Sequence, residues 1–403
     1  MRYLVQFQPN FSEKIRDALS KLTGSGPLRV KKTIFDYHAL EIPEPLIAIV
    51  QRIPGVVRVV VDRKIEAFVE PIPVIDKLKK FLSLAKNPFT FLSAFSFSIN
   101  ETKAHWPTGE SRRMLGAHVA ESEGVTGRGV KVAVLDTGHD HLSPQLLFKG
   151  GKSTLPGMPN SEDENGHGSW CVSCIAGKPR SSQWGEMKGV APGVEIGIWK
   201  CLGYGLGMGS DSSVLEAMEQ AAEWGANIVS MSLGSEECVG GCEICPLCRA
   251  VKKLTDQGIM VVVANGNSGL GSQGCPACSP SAISVGAIDK YRLIADFSSR
   301  GGWRPDKPDV MAPGVYTLSS TTGLIDAMQA TDGIKAGAIS GTSMATPHIA
   351  GLLALWAQYF GEKRGGGLTS RIAKDIMSQH GLPKSIDYGW GVPEFSWVKN
   401  YLR

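Results

Sequence analysis

No apolar run in this 403-residue chain reaches the ~18 residues that a membrane-crossing helix needs. The first residues, Met1 to Phe7, also lack the long apolar core of a secretory leader. With Met1 as the native start, that predicts a cytoplasmic protein. Charge of one sign is scarce as well: 42 Lys and Arg oppose 38 Asp and Glu, for a net +4. With no basic block to concentrate that charge, nucleic acid is not the expected partner. No heptad seam or internal repeat is present, which removes coiled coils and solenoids. What remains is ordinary for a globular protein, 42% apolar and 20% charged. Its length exceeds one typical core and predicts two domains.

Three short stretches carry chemistry. Gly341-Thr342-Ser343-Met344-Ala345-Thr346-Pro347-His348 leads a serine into an apolar stretch, 349–360, that reads as a buried helix. A hydroxyl at a helix start lies near free N–H groups and the positive end of the dipole. Pro347 suits a first turn, where its missing N–H costs nothing. Lys131-Val132-Ala133-Val134-Leu135 reads as a strand buried on both faces, ending in Asp136-Thr137-Gly138. A carboxylate there lies at the carboxyl end of a parallel strand, where open α/β sheets place their ligands. Asn165-Gly166-His167-Gly168-Ser169 opens a second buried helix. Its two glycines leave room for another backbone to approach. Taken singly, these residues are a helix cap, a loop carboxylate and a core histidine. Together they are a nucleophile, an orienting acid and a base.

In this order the three motifs resemble those of the subtilisin-like serine peptidases, and the resemblance runs from Trp106 to the C-terminus. It implies an α/β fold, a mostly parallel sheet with helices on both faces, over residues 106–403. It implies endopeptidase chemistry through a triad of Asp136, His167 and Ser343 and an acyl-enzyme intermediate on Ser343, acting on polypeptides and needing no cofactor. Ser232-Leu233-Gly234 resembles the substrate-pairing strand, and Asn265-Gly266-Asn267 the turn carrying the oxyanion-hole asparagine. Asn267 fits that role, with Asn265 as competitor. Further agreement comes from Phe297-Ser298-Ser299-Arg300-Gly301, from Lys307-Pro308-Asp309-Val310-Met311-Ala312-Pro313-Gly314, and from Tyr388-Gly389-Trp390-Gly391-Val392. An esterase is disfavoured because Ser343 is not in a Gly-x-Ser-x-Gly elbow. A binding protein that lost its chemistry is disfavoured because all four catalytic positions are filled.

Departures from the pattern carry their own expectations. Trp170 replaces a histidine three residues after His167, and Cys171 and Cys174 replace small residues. Cys171, one helical turn from His167, resembles the cysteine of proteinase-K-like members and is expected to be a buried, inert thiol beside the imidazole. Gln145 stands where many members carry a calcium-binding aspartate, which puts calcium there in question.

Residues 1–75 read as β-α-β-β-α-β, a small α+β ferredoxin-like unit, with helices over 11–22 and 44–53 and strand over 56–68. It resembles the family's propeptide, which implies an intramolecular inhibitor and an autoprocessed precursor; a regulatory domain is the alternative. Residues 76–105 form a linker with the processing region. There Phe81, Phe89, Phe91, Phe95 and Phe97 fall in a segment with a period of two, able to extend the substrate-pairing strand or to pack on the surface.

Six of the nine cysteines cluster: Cys238, Cys242, Cys245 and Cys248 after the substrate strand, Cys275 and Cys278 after Asn267. Both groups flank segments that line the specificity pocket in the family. Paired Cys-x-x-Cys spacing suits tetrahedral zinc on Cys242, Cys245, Cys275 and Cys278. Disulfides and an iron–sulfur cluster are the other two readings. Cys201 reads as core.

Overall fold

The computed structural model describes residues 2–7, 37–42, 44–53, 55–68, 105–140, 148–182, 184–203, 207–238, 240–304, 306–322, 328–329 and 335–403. The helix expected over 11–22, the phenylalanine-rich segment and Gln145 lie outside them.

The N-terminal unit pairs β1 (Arg2–Phe7) antiparallel with β2 (Tyr37–Glu41) and, on its other edge, with β3 (Val56–Val61). Helix α1 (Ile47–Gln51) lies between β2 and β3 in sequence. Strand alternation sorts β1 between two cores. Tyr3, Val5 and Phe7 pack with Val50 of α1, whereas Leu4 joins a cluster of the second domain. The strand expected over 56–68 is in fact two strands in two sheets. β3 ends at Val61, and β4 (Lys64–Ala67) belongs to a sheet of the second domain. The break falls at Asp62 and Arg63, whose side chains bond to that domain. Asp62 accepts from the Ser212 N–H and hydroxyl, both at 2.8 Å. Arg63 forms a two-point pair with Asp211, Nε–Oδ2 2.8 Å and Nη2–Oδ1 3.1 Å.

The second domain is built on β5 (Lys131–Asp136), β6 (Phe148–Gly150), β7 (Glu195–Lys200), β8 (Met208–Ser210), β9 (Ile228–Met231), β10 (Leu233–Gly234), β11 (Met260–Ala264), β12 (Ile283–Ile288) and β13 (Val310–Pro313). Seven of these form one sheet in the order β13-β12-β11-β9-β5-β7-β6, every neighbouring pair parallel. The α/β architecture with helices on both faces is therefore as the resemblance implied. Val132 and Val134 of β5 join the core formed with α2 (His167–Ala176) and α5 (Thr342–Arg364). Ala133 and Leu135 face the other way, into the core formed with α3 (Asp211–Glu223) and α4 (Pro246–Asp256). That two-sided burial is why the strand reads as one apolar run. Among the described residues, no helix is long and apolar enough to cross a membrane.

β4 is the joint between the domains. It runs antiparallel to β8 on one side, Met208↔Glu66 to Ser210↔Lys64, and to β10 on the other, Leu233↔Ala67 and Gly234↔Glu66. A segment of the first domain thus fills the slot between two strands of the second.

Candidate active site

Asp136 closes β5, His167 opens α2 and Ser343 is the second residue of α5, so the carboxyl end of an interior strand and two helix starts converge. All three are fully buried. The His167 Nδ1–H donates to Asp136 Oδ1 at 2.6 Å, and the Thr137 N–H donates to the same oxygen at 2.7 Å. With Nδ1 committed as donor, Nε2 keeps its lone pair, and it has no partner among the described residues.

The loop before His167 is fixed by a residue that motif reading missed. Asp163 accepts from the Thr137 hydroxyl, from the N–H of Asn165, Gly166 and Ser169, and from the Ser169 hydroxyl, at 2.7 to 3.1 Å. Burial pushes its carboxyl up even against those bonds. The Thr137 hydroxyl in turn accepts from the Gly168 N–H at 2.8 Å, binding the end of β5 to the start of α2. The two glycines beside His167 make room for the protein's own backbone. A Cβ at Gly166 (φ 101°) would lie 1.9 Å from the Thr322 carbonyl oxygen, and one at Gly168 would lie 2.2 Å from that of Gly138.

Pro347 sits in the second turn of α5, not the first, because the helix begins at Thr342. Its missing N–H leaves the Ser343 carbonyl without the usual helical donor. The Ser232 hydroxyl fills that role at 2.8 Å, and the Ser343 hydroxyl donates to the Ser232 carbonyl, also at 2.8 Å. Ser343 is thereby bound to Ser232 and not to His167. Cys171 lies where expected, its Sγ 4.0 Å from His167 Nδ1. Burial, with Asp136 nearby, pushes its thiol well up and keeps it protonated. Trp170 is core, its indole N–H donating to the Gly337 carbonyl at 2.9 Å. Cys201 is core too.

The two candidate asparagines separate cleanly. Asn265 donates its amide to the Ser299 carbonyl at 2.7 Å. Asn267 accepts at Oδ1 from both the N–H and the hydroxyl of Thr342, at 2.9 Å each. That turns its Nδ2 away, buried and without a partner among the described residues.

Phe68, next after β4, reaches this centre. Its N–H donates to the Ser232 carbonyl at 3.4 Å, and its carbonyl oxygen accepts from the Ser343 N–H at 3.3 Å. Its ring fills a slot between two glycines: a Cβ at Gly234 would lie 2.6 Å from the ring edge, and one at Gly274 3.1 Å. Three residues earlier, Ile65 is fully buried in the cluster that includes Leu202 and Leu233. Ser232, Leu233 and Gly234 therefore all bind this segment, Ser232 by its carbonyl and the other two as strand partners of Ala67 and Glu66.

The six clustered cysteines come together beside this slot, but not as the expected foursome. Cys242 and Cys278 fall in one set with Cys238 and Cys248, while Cys245 and Cys275 fall in another with the same two residues. Spacing pairs neighbours along the chain, whereas the turn at 275–278 presents its two thiols to opposite ends of the cluster.

Sequence comparison gives the site a context. Residues 127–385 match the Subtilase family. The chain is 40% identical over 252 residues to Subtilisin Savinase of Lederbergia lenta, covering 62% of this chain and 84% of that protein. It is also 40% identical over 252 residues to M-protease of Shouchella clausii (strain KSM-K16), covering 62% of this chain and 60% of that one. Subtilisin E of Bacillus subtilis (strain 168) is 37% identical over 244 residues, 59% of this chain and 58% of that protein.

Proposed function

This chain belongs to the subtilase family and is a serine endopeptidase, and on that premise we propose that Ser343, His167 and Asp136 are its nucleophile, base and orienting carboxylate, and that its first substrate is its own Phe68–Val69 bond. The observation that carries this reading is the seat of Phe68, whose carbonyl oxygen lies against the Ser343 N–H.

The chemistry follows from the groups at hand. The Ser343 hydroxyl exchanges its Ser232 acceptor for His167 Nε2, which takes the proton as Oγ adds to the Phe68 carbonyl carbon. Asp136 Oδ1, already on Nδ1–H, steadies the imidazolium. Negative charge growing on the carbonyl oxygen meets the Ser343 N–H and the unpartnered Nδ2 of Asn267, both fixed before the reaction begins. His167 then returns its proton to the Val69 amine, which leaves, and water frees the Phe68 carboxylate from Ser343.

After cleavage the N-terminal unit still has reason to stay. β4 remains a central strand, Ile65 remains buried, and Asp62 and Arg63 remain paired with Ser212 and Asp211. A product held in this way is an inhibitor by occupancy, with main-chain pairing supplying affinity and the Phe68 slot selectivity. The reading puts the junction between domains after Phe68, not after residue 75. It also gives the groove to 64–68, not to the phenylalanine-rich segment. N-terminal sequencing tests it. The processed enzyme should begin at Val69, and Ser343→Ala should remain one chain. Processing at a different bond, or in Ser343→Ala, would refute it.

A further inference from the structure

We propose that Cys238, Cys242, Cys245, Cys248, Cys275 and Cys278 form a binuclear site for two zinc-class divalent ions, with Cys238 and Cys248 each bridging both.

The sulfur positions carry the proposal. Two sets of four cysteines each keep all four Sγ atoms within 4.8 Å of one another: 238, 242, 248 and 278, and 238, 245, 248 and 275. Two sets of four that share two members account for all six residues, which is two tetrahedra joined along one edge. The shared edge, Cys238–Cys248, is 3.7 Å. Four further edges are Cys242–Cys278 3.6 Å, Cys248–Cys278 3.5 Å, Cys245–Cys275 3.4 Å and Cys248–Cys275 3.8 Å. Four thiolates at about 2.3 Å from one zinc ion sit about 3.8 Å apart, which is this spacing.

Three disulfides would give each sulfur a single close neighbour. Cys248 Sγ has three, Cys238, Cys275 and Cys278, as a bridging ligand requires. An iron–sulfur core places inorganic sulfide between its irons and holds cysteines on different irons further apart than the 4.8 Å within which each set of four lies. The pairs Cys242–Cys245 and Cys275–Cys278 are each split, with Cys242 and Cys278 on one ion and Cys245 and Cys275 on the other, whereas Cys245 and Cys248 share an ion.

Charge around the cluster agrees. Six thiolates and two dications leave a charge of −2. Arg63 brings Nη2 to 3.3 Å from Cys245 Sγ and 3.7 Å from Cys275 Sγ. Cys245 is the N-cap of the 11-residue helix α4, whose first turn carries Cys248, so the positive end of the dipole faces the thiolates. Cys238 also lines a surface cleft of about 430 Å³ with Glu236, Glu237, Gly241 and Trp303, an entry route for the ions. With four protein ligands on each ion and no open position, the site is structural. It fastens the loop after β10 to the 274–278 turn, already joined where Ser235 and Cys275 exchange main-chain bonds at 2.9 and 2.8 Å. Those are the two walls around the Phe68 ring.

Metal analysis of the full-length chain, purified anaerobically without chelator, should find two zinc ions per chain. Exchange into cadmium should give two NMR resonances in the tetrathiolate range, coupled to each other through the shared sulfurs. Cys248→Ser should fall below one ion per chain, while Cys242→Ser and Cys245→Ser should each keep one. The wild-type measurements stand whether or not the variants fold. One ion per chain, uncoupled cadmium signals, iron with sulfide, or metal-free protein lacking the six hydrogens lost to three disulfides would each overturn the proposal. None of these readouts depends on peptidase activity.

Discussion

Two buried clusters of charge invite comparison, one around Asp136 and one around Asp309. Both carboxylates lie in stretches that resemble family motifs, and both are sealed from solvent. Asp309 is saturated. Oδ2 accepts from the Ser284 N–H and hydroxyl at 2.9 and 3.1 Å and from Lys307 at 2.5 Å, and Oδ1 accepts from Lys384 at 2.8 Å. Burial alone would raise its carboxyl, but Lys307, Lys374 and Lys384 outweigh burial and hold it far below the usual range. Around Asp136 the bonding is incomplete: Asp136 Oδ2, His167 Nε2 and Asn267 Nδ2 are all buried without partners among the described residues. Native interiors rarely leave polar atoms so. The Asp309 network uses its carboxylate to hold the fold together, whereas the Asp136 centre leaves those buried polar atoms free, as the proposed chemistry requires.

The comparison can be broken by substitution, starting with the largest effect. Ser343→Ala should lower kcat by about 10⁶-fold, since triad members act as a unit, while costing only about 1 kcal/mol of stability for the lost bond to the Ser232 carbonyl. Asp136→Asn should cost about 10⁴-fold in kcat by reversing the imidazole tautomer. Asp309→Asn should do the opposite, with kcat near wild type but stability lower by about 3–5 kcal/mol, because Lys307 would keep a buried charge without its partner. Denaturant midpoints beside kcat separate the two classes; loss of kcat without loss of stability at Asp309 would erase the distinction. Asn267→Ala should cost about 10²–10³-fold in kcat with little change in KM, a magnitude carried over from subtilisin itself.

The smallest effect sharpens the comparison with a second buried histidine. His348 donates Nδ1–H to the Met344 carbonyl at 2.8 Å and accepts at Nε2 from the Ser111 hydroxyl at 2.7 Å, so both nitrogens are engaged. Burial lowers its pKa to about 4, against the Met344 bond, which raises it. The folded state then binds its proton less tightly than the unfolded chain, and stability falls as pH drops from 6.5 to about 4. At 1.36 kcal/mol per pKa unit this amounts to about 3 kcal/mol. Unfolding midpoints across that window should lose most of this slope in His348→Gln; an unchanged slope would contradict the assignment.

How much the sequence disclosed depended on whether a signal was local. Asp136, His167, Ser343 and Asn267 stand in short motifs, because strand ends and helix starts constrain their immediate neighbours. Asp163 has no such motif: it is an acid four residues before His167 whose partners lie just past β5, on the loop before His167 and in the first turn of α2. The Phe68 seat was harder. Lys64-Ile65-Glu66-Ala67-Phe68 alternates as a strand should, yet nothing local says that it leaves its own sheet for another. The cysteines showed their number and neighbourhood in sequence, but which sulfurs are shared depends on how two loops meet. Pro347 is tolerated one turn deeper than a first-turn proline because the Ser343 carbonyl, left without a helical donor, is relieved by Ser232, more than a hundred residues away.

The most direct test of the central claim is covalent labelling. The processed enzyme, freed of its N-terminal segment, is treated with a serine-directed fluorophosphonate and mapped by mass spectrometry. One label per chain on Ser343 is the predicted result, with labelling strongly slowed in His167→Ala. A label on any other serine, or an active enzyme that takes none, would contradict the account.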